Sequence, residues 1–352
     1  MEQKHLLTNV AVIRLVLIVL LVFYHAFAPY SGAWEPIVGF PKVPAYWWMD
    51  RLSYAFMLEM FVFISGYIFG YQVRTKGESK LEAKKLFWGK FKRLMIPCMV
   101  FSLLYVLLFG NITQPATKTL YSLVNGAGHM WFLPMLFWCF VGIWVIEKRK
   151  LNPKCVIPFL ILCSVFSFVP IPLRMGNTMY YMLFFYAGYI LQKENISLDR
   201  FYTTKHCVVA IVVFCVVFPT LTMLKANIGH ANEGGGFVEN QLIDRIINLS
   251  LTNLLQIFYS STGLIMLFIL AGTVMKRNPA QLPQWIFKAG GLCMGVYLLQ
   301  QFILVALYEH TQLPSMLGCR FLPWFGFGVT LLGSSIIVLL LLKTKTGKFL
   351  LG

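Results

Sequence analysis

The strongest constraint on this chain is a succession of ten continuously apolar runs, at residues 8–28, 52–72, 94–110, 129–147, 155–169, 179–192, 207–224, 251–275, 291–309 and 321–342. Most are about 17 to 25 residues long, the length a helix needs to cross the roughly 30 Å hydrocarbon core of a bilayer. A segment entering lipid must satisfy its own backbone hydrogen bonds, so only helices and closed barrels span membranes. A barrel would show alternating segments about ten residues long, and these runs do not alternate. The expected fold is an all-α integral membrane protein, a polytopic bundle of about ten transmembrane helices in which residues 1–352 form one domain. The fifth and sixth runs are short, so one of them is open to being tilted or re-entrant.

Only 12% of residues are charged and 58% are apolar, which excludes an ordinary soluble globular protein. The formal charge of +17 would suit nucleic acid if it lay on one soluble face. Lys and Arg fall instead in the gaps between apolar runs, so the expected partner is a lipid bilayer and not nucleic acid. With ten spans and a cytoplasmic N-terminus, 22 of the 30 basic residues lie on the inner side and 7 on the outer, Arg14 being the remaining one. That is the positive-inside pattern, and it puts both termini in the cytoplasm.

Residues 1–28 imitate a secretory signal ending in "AFA" at Ala26–Ala28. Arg14 interrupts its apolar stretch and Pro29 follows the cleavage point, so a retained first helix is expected. No soluble domain is expected at either end. The eight cysteines form no CxxC pair and read as reduced packing residues, and no H-x-x-x-H spacing suggests a metal. The longest outer segments, 29–50, 111–128 and 225–250, read as loops, the last carrying the Gly-rich "NEGGGFVEN".

Ionisable residues inside apolar runs are expensive and therefore informative. The stretch "RLVLIVLLVFYH" sets Arg14 eleven residues before His25. At 100° per residue the two share a face to within about 20° and are about 16 Å apart along the axis. They are expected to line one cavity, Arg14 toward the cytoplasmic end and His25 toward the outer end. The plainer alternative is a snorkelling arginine and an interfacial histidine.

"FMLEMFVFISGYIFG" brings Glu59 into the second run, where a carboxylate costs about 2.5–3.5 kcal/mol and should be paired, protonated or wet. Arg14 and His25 are its expected partners, in a structural or a catalytic role. Ser65 reads either as a ligand contact or as a back-bonder to its own helix, and Gly66 with Gly70 forms a small-xxx-small pair suited to close helix packing. "GHMWFLPMLF" opens the fourth run with His129, which has the depth to sit beside His25. Trp131 there suits an interfacial belt or a sugar face, and Pro134 is expected to kink the helix. "KKLFWGKFKRLMIP" gathers Lys84, Lys85, Lys90, Lys92 and Arg93, a patch that fixes topology, touches anionic lipid or cradles phosphates. Arg174, on the outer side, is a candidate substrate contact.

In this order the segments resemble the family-3 membrane acyltransferases. Arg14 and His25 are similar to that family's first-helix R-x10-H signature. "FVFISGY" at 61–67 resembles its FF-x-SGY stretch, and "HMWFLPMLF" its H-L-WFL-P segment. "KFKRLMIP" is similar to its basic entry to the third helix, and "MGVYLLQQ" at 294–301 to its late YL-x-H stretch. Glu59 stands where the family often has proline, Gln300 where it often has histidine, and Lys90 where it has arginine. The role of the late histidine is therefore lost or taken over here.

The resemblance implies a multi-pass enzyme of the bacterial inner membrane that moves an acyl group, acetyl above all, from cytoplasmic acyl-coenzyme A to a hydroxyl of an extracytoplasmic glycan or sugar. It implies His25 as general base or acyl relay, aided by Glu59 and His129. Arg14, Lys90, Arg93 and Ser65 would meet the cofactor, and Trp131 and Arg174 the acceptor. Self-association into a homo-oligomer is left open. The main rival is a transporter or flippase of a polar solute that uses Arg14, His25 and Glu59 as an intramembrane relay. A non-catalytic scaffold leaves those residues unexplained.

Overall fold

Each of the ten apolar runs forms helix in the computed structural model, which describes residues 2–110, 116–234, 241–277 and 283–351. The helices are α1 (Glu2–Ser31), α2 (Pro44–Tyr54), α3 (Met57–Lys76), α4 (Ala83–Lys90), α5 (Ile96–Phe109), α6 (Ala116–Asn125) and α7 (Phe132–Lys148). They continue with α8 (Pro153–Val165), α9 (Met175–Lys193), α10 (Thr204–Gly234), α11 (Gln241–Arg277), α12 (Gln284–Glu309), α13 (Leu313–Leu341) and α14 (Lys345–Leu351). Among the described residues there is no strand, and eight helical segments are long and apolar enough to cross a membrane.

The fifth and sixth runs are the two outside that set. α8 has 13 residues, about 20 Å at 1.5 Å per residue, short of the hydrocarbon core. α9 has 19 residues, but its tyrosines and amides lower its hydropathy and its side chains are largely buried in protein. Because these two helices are consecutive, the orientation assigned to every other helix is the same for eight spans as for ten. The segment 225–250, expected as a loop, is mostly the ends of α10 and α11; residues 235–240 of the Gly-rich stretch lie outside the described residues. Likewise α6 forms inside the 111–128 segment.

The bundle's centre is a sandwich of α1, α3 and α9 with α7 and α12 beside it. Leu17, Met57, Met60 and Phe185 are fully buried there. Glycine sets the approach of α3 to α9. A Cβ on Gly66 would lie 2.0 Å from the Phe185 carbonyl oxygen, and one on Gly70 2.2 Å from that of Tyr189. The small-xxx-small pair is a packing device, as its spacing implied. On α10, by contrast, Val208, Val212 and Val216 are exposed at i, i+4 and i+8, the outward apolar stripe of a helix that faces lipid.

Two irregularities aim side chains at the interior. α2 and α3 are one span broken at Ala55–Phe56, where Ser260 Oγ on α11 donates to the freed Ala55 carbonyl at 2.7 Å, as a break at membrane depth requires. Between α4 and α5 lies a π-helical turn, Phe91–Met95. Pro97 has no N–H to give the Arg93 carbonyl, and the Ile96 amide bonds back five residues to Phe91. The extra residue in that turn reorients the basic stretch around Lys90 and Arg93.

Candidate functional site

Two cavities lie side by side in the bundle. The basic one, about 490 Å³, is lined by Arg14 of α1, Ser65 of α3, Lys90, Arg93 and Lys288. The other, about 550 Å³, holds His25, Trp34, Tyr105, His129, Trp131 and Gln301. Leu21, Leu58, Phe132 and Tyr297 line both, so these four side chains stand between the two cavities. Leu21 follows Arg14 by seven residues and precedes His25 by four. These are the i, i+7 and i+11 positions of one helical face, and the structure turns that face inward. Neither Arg14 nor His25 points to lipid.

The basic cavity has four cations and no carboxylate on its wall. Lys90 Nζ sits 3.6 Å from the centre of the Phe140 ring, a cation–π contact that leaves its ammonium protons available. No ion pair joins Arg14, Lys90, Arg93 or Lys288 to an acid among the described residues. A second groove of about 440 Å³ shares Phe69, Gln72, Lys90 and Arg93 with this cavity and adds Lys76, Lys80 and Lys85. Ser65 lines the basic cavity while its Oγ donates to the Phe61 carbonyl at 2.9 Å, so the back-bonding and cavity-lining readings both hold.

The histidine cavity is built differently. His25, 7% exposed, and His129, 5% exposed, lie ring to ring at 6.2 Å in an edge-on arrangement. Gln301 Oε1 accepts from the His129 backbone N–H at 3.0 Å and stands 2.6 Å from His129 Nδ1. A backbone N–H can only donate, so that amide atom is oxygen. Oxygen of an amide can only accept, so Nδ1 carries the proton and Nε2 of the neutral ring keeps its lone pair. Nε2 has no partner among the described residues. Tyr297 Oη donates to the His129 carbonyl at 2.5 Å, fixing the backbone as well. Gln300, though close enough to His25 to interact, closes no well-formed hydrogen bond with it.

Glu59 departs from its expected pairing. Its Oε1 accepts from Tyr180 Oη of α9 at 3.1 Å and lies 3.2 Å from Ser260 Oγ of α11, whose proton is directed to the Ala55 carbonyl, rather than meeting Arg14 or His25. The carboxylate sits in the first turn of α3, which directs it along the broken span toward α9 and α11. Pro134 does not kink α7 either. It lies in the first turn, where its missing N–H would have had no helical partner. Trp131 stands on the cavity wall with its ring 6.0 Å from Tyr181. Arg174 lines a separate cavity, and donates through Nε to the Asn125 carbonyl at 2.9 Å and through Nη2 to the Gly126 carbonyl at 3.3 Å.

The structure thus brings His25, His129 and Trp131 together, and Arg14 with Ser65, Lys90 and Arg93, while Glu59 and Arg174 fall outside both groups. It adds Gln301, Tyr297 and Lys288, which the sequence reading missed. An amide doublet in an apolar helix was the available signal for Gln301, but neighbouring helical positions face 100° apart. Only the rotation of α12 decides which amide meets His129.

A family model described as an acyltransferase domain matches residues 7–343. No curated protein and no solved structure matches the chain.

Proposed function

From the premise that the chain belongs to the acyltransferase 3 family, we propose that this membrane acyltransferase takes its acyl group, most often acetyl, from cytoplasmic acyl-coenzyme A and delivers it to a hydroxyl of an extracytoplasmic glycan or sugar. The observation that supports the reading is the adjacency of the two cavities across four shared side chains. Four cations without a carboxylate among the described residues lie across four shared side chains from two imidazoles. A donor with clustered phosphates at one end and a thioester on a long arm matches that order of chemistry. The rise from Arg14 to His25, about 16 Å, is on the scale of the pantetheine arm.

In this reading Arg14, Lys90, Arg93 and Lys288 hold the phosphates, with Ser65 on the wall beside them. The arm passes Leu21, Leu58, Phe132 and Tyr297, and the acceptor ring lies against Trp131. The acceptor hydroxyl gives its proton to an imidazole as its oxygen attacks the thioester carbonyl. The C–S bond then breaks, and the departing coenzyme A thiolate takes a proton back. His25 is the base, or the relay if the acyl group first passes to its ring. His129, with a bare Nε2 and its tautomer set, is the second proton acceptor. Glu59 acts at a distance, through the α3 break. The positive-inside pattern orients the basic cavity to the cytoplasm, in keeping with a bacterial inner membrane.

The test uses purified protein in lipid nanodiscs with [14C]acetyl-coenzyme A and a sugar acceptor. Acceptor-dependent release of thiol, with label moving to the sugar, is expected. A coupled solute flux with no thioester consumed would replace this reading by the transporter.

A further inference from the structure

A third cavity, about 490 Å³, opens beside the histidine cavity between α6, α9, α11 and the segment 166–174. Among the described residues its wall carries one charged side chain, Arg174, and no carboxylate. Tyr121, Tyr180 and Tyr181 supply aromatic faces, and Asn125, Asn177, Asn253 and Gln256 supply amides. Several of these groups are committed. Asn253 Nδ2 donates to the Val165 carbonyl at 3.0 Å, and Gln256 Oε1 accepts from Lys225 Nζ at 2.7 Å.

Others are free. Both amide atoms of Asn125, only 4% exposed, lack any partner among the described residues, an arrangement that is costly unless a ligand or water completes it. Arg174 spends Nε and Nη2 on the Asn125 and Gly126 carbonyls, which leaves Nη1 uncommitted. That tether places Arg174 on the segment that carries His129, three residues past Gly126. A single wall separates the two cavities, because Tyr181 lines this one and packs on Trp131 of the other.

We infer that this cavity binds a hydroxyl-rich ring bearing one acidic group, the class of a uronic acid or a sugar phosphate, as the unit of the acceptor next to the one acylated. Amides and tyrosine faces match the hydroxyls and the ring, and an unopposed guanidinium matches a carboxylate or phosphate. Calling the ligand an acceptor rests on the acyl-transfer reading; the binding itself does not.

The test is equilibrium binding by ligand-observed NMR to the full chain in nanodiscs, without acyl donor, using glucuronate, glucose 1-phosphate and glucose. At least one of the two acidic sugars is expected to bind more tightly than glucose, and whichever binds tighter identifies the anion. Asn177 lines the cavity and its side chain makes no bond among the described residues, so its replacement should not disturb folding. Asn177→Asp should weaken acidic-sugar binding at least about tenfold, the scale of one charge-assisted interaction. Asn177→Lys should strengthen it, and in both variants glucose binding should change less than acidic-sugar binding. Equal binding of acidic and neutral sugars, no saturable binding of either acidic sugar, or indifference to both substitutions would overturn the site. Intact binding in a protein that transfers no acyl group would instead remove the acyl-transfer reading and leave the site standing.

Discussion

The basic and histidine cavities share four side chains and little else. In the first, Lys288 and Arg93 are exposed and Arg14, Lys90, Arg93 and Lys288 have no acidic partner among the described residues, so on the proposed reading recognition would rest on summed charge with loose geometry. In the second, His129 is held by Gln301 and Tyr297 at three points, so the proposed chemistry would rest on one orientation of one ring. A single substitution should therefore be tolerated at the basic end and crippling at the histidine end.

The largest expected effect follows from removing an imidazole. His25→Ala should lower the acyl-transfer rate by about 10²- to 10⁴-fold, the range a positioned base supplies, while coenzyme A affinity by calorimetry stays at the parent value. His129→Ala should behave alike. An active His25→Ala enzyme would end its role as base and leave His129 alone.

Next comes the orienting amide. Gln301→Leu should cost about tenfold to a hundredfold in kcat with little change in donor KM, because the ring loses its fixed tautomer but not its place. Gln301→Glu, which still accepts from Nδ1–H, should recover most of the rate. If Leu and Glu were equally impaired, Gln301 would be packing alone.

This pair also marks where the sequence stops being legible. Helical periodicity suffices to place Arg14 and His25 on one face, because both lie on one continuous helix and the geometry between them is local. The same holds for Gly66 and Gly70, whose spacing alone implies a close neighbour. Gln301 reaches His129 across 172 residues, and Glu59 reaches Tyr180 and Ser260 across 121 and 201. Those pairings depend on how α12, α9 and α11 are rotated about their axes, which no spacing within one helix encodes. The break at Ala55–Phe56 is invisible for another reason: no proline or glycine marks it, and a hydroxyl on α11 sustains it.

At the basic end the effects should be smaller and graded. Arg14→Ala should weaken coenzyme A binding about tenfold, the scale of one charge-assisted contact from a half-buried guanidinium. Lys288→Ala, at an exposed position, should cost only about two- to fivefold, and less as salt is raised. Calorimetric titrations at two ionic strengths separate the two. Equal, salt-independent losses would mean that the basic wall is as tightly organised as the histidine wall, and the contrast between the cavities would fail.

Ser65 gives the finest discrimination. It lines the basic cavity, but its one hydroxyl proton is directed to the Phe61 carbonyl, which leaves it only lone pairs to offer. A phosphate is itself an acceptor and gains nothing from lone pairs. Ser65→Ala should therefore change donor affinity less than about twofold, within the ±0.5 kcal/mol expected where no bond to the ligand is lost. A tenfold loss on calorimetry would show that the hydroxyl turns away from its own helix when the donor arrives, and that the basic cavity, like the histidine cavity, uses oriented hydrogen bonds.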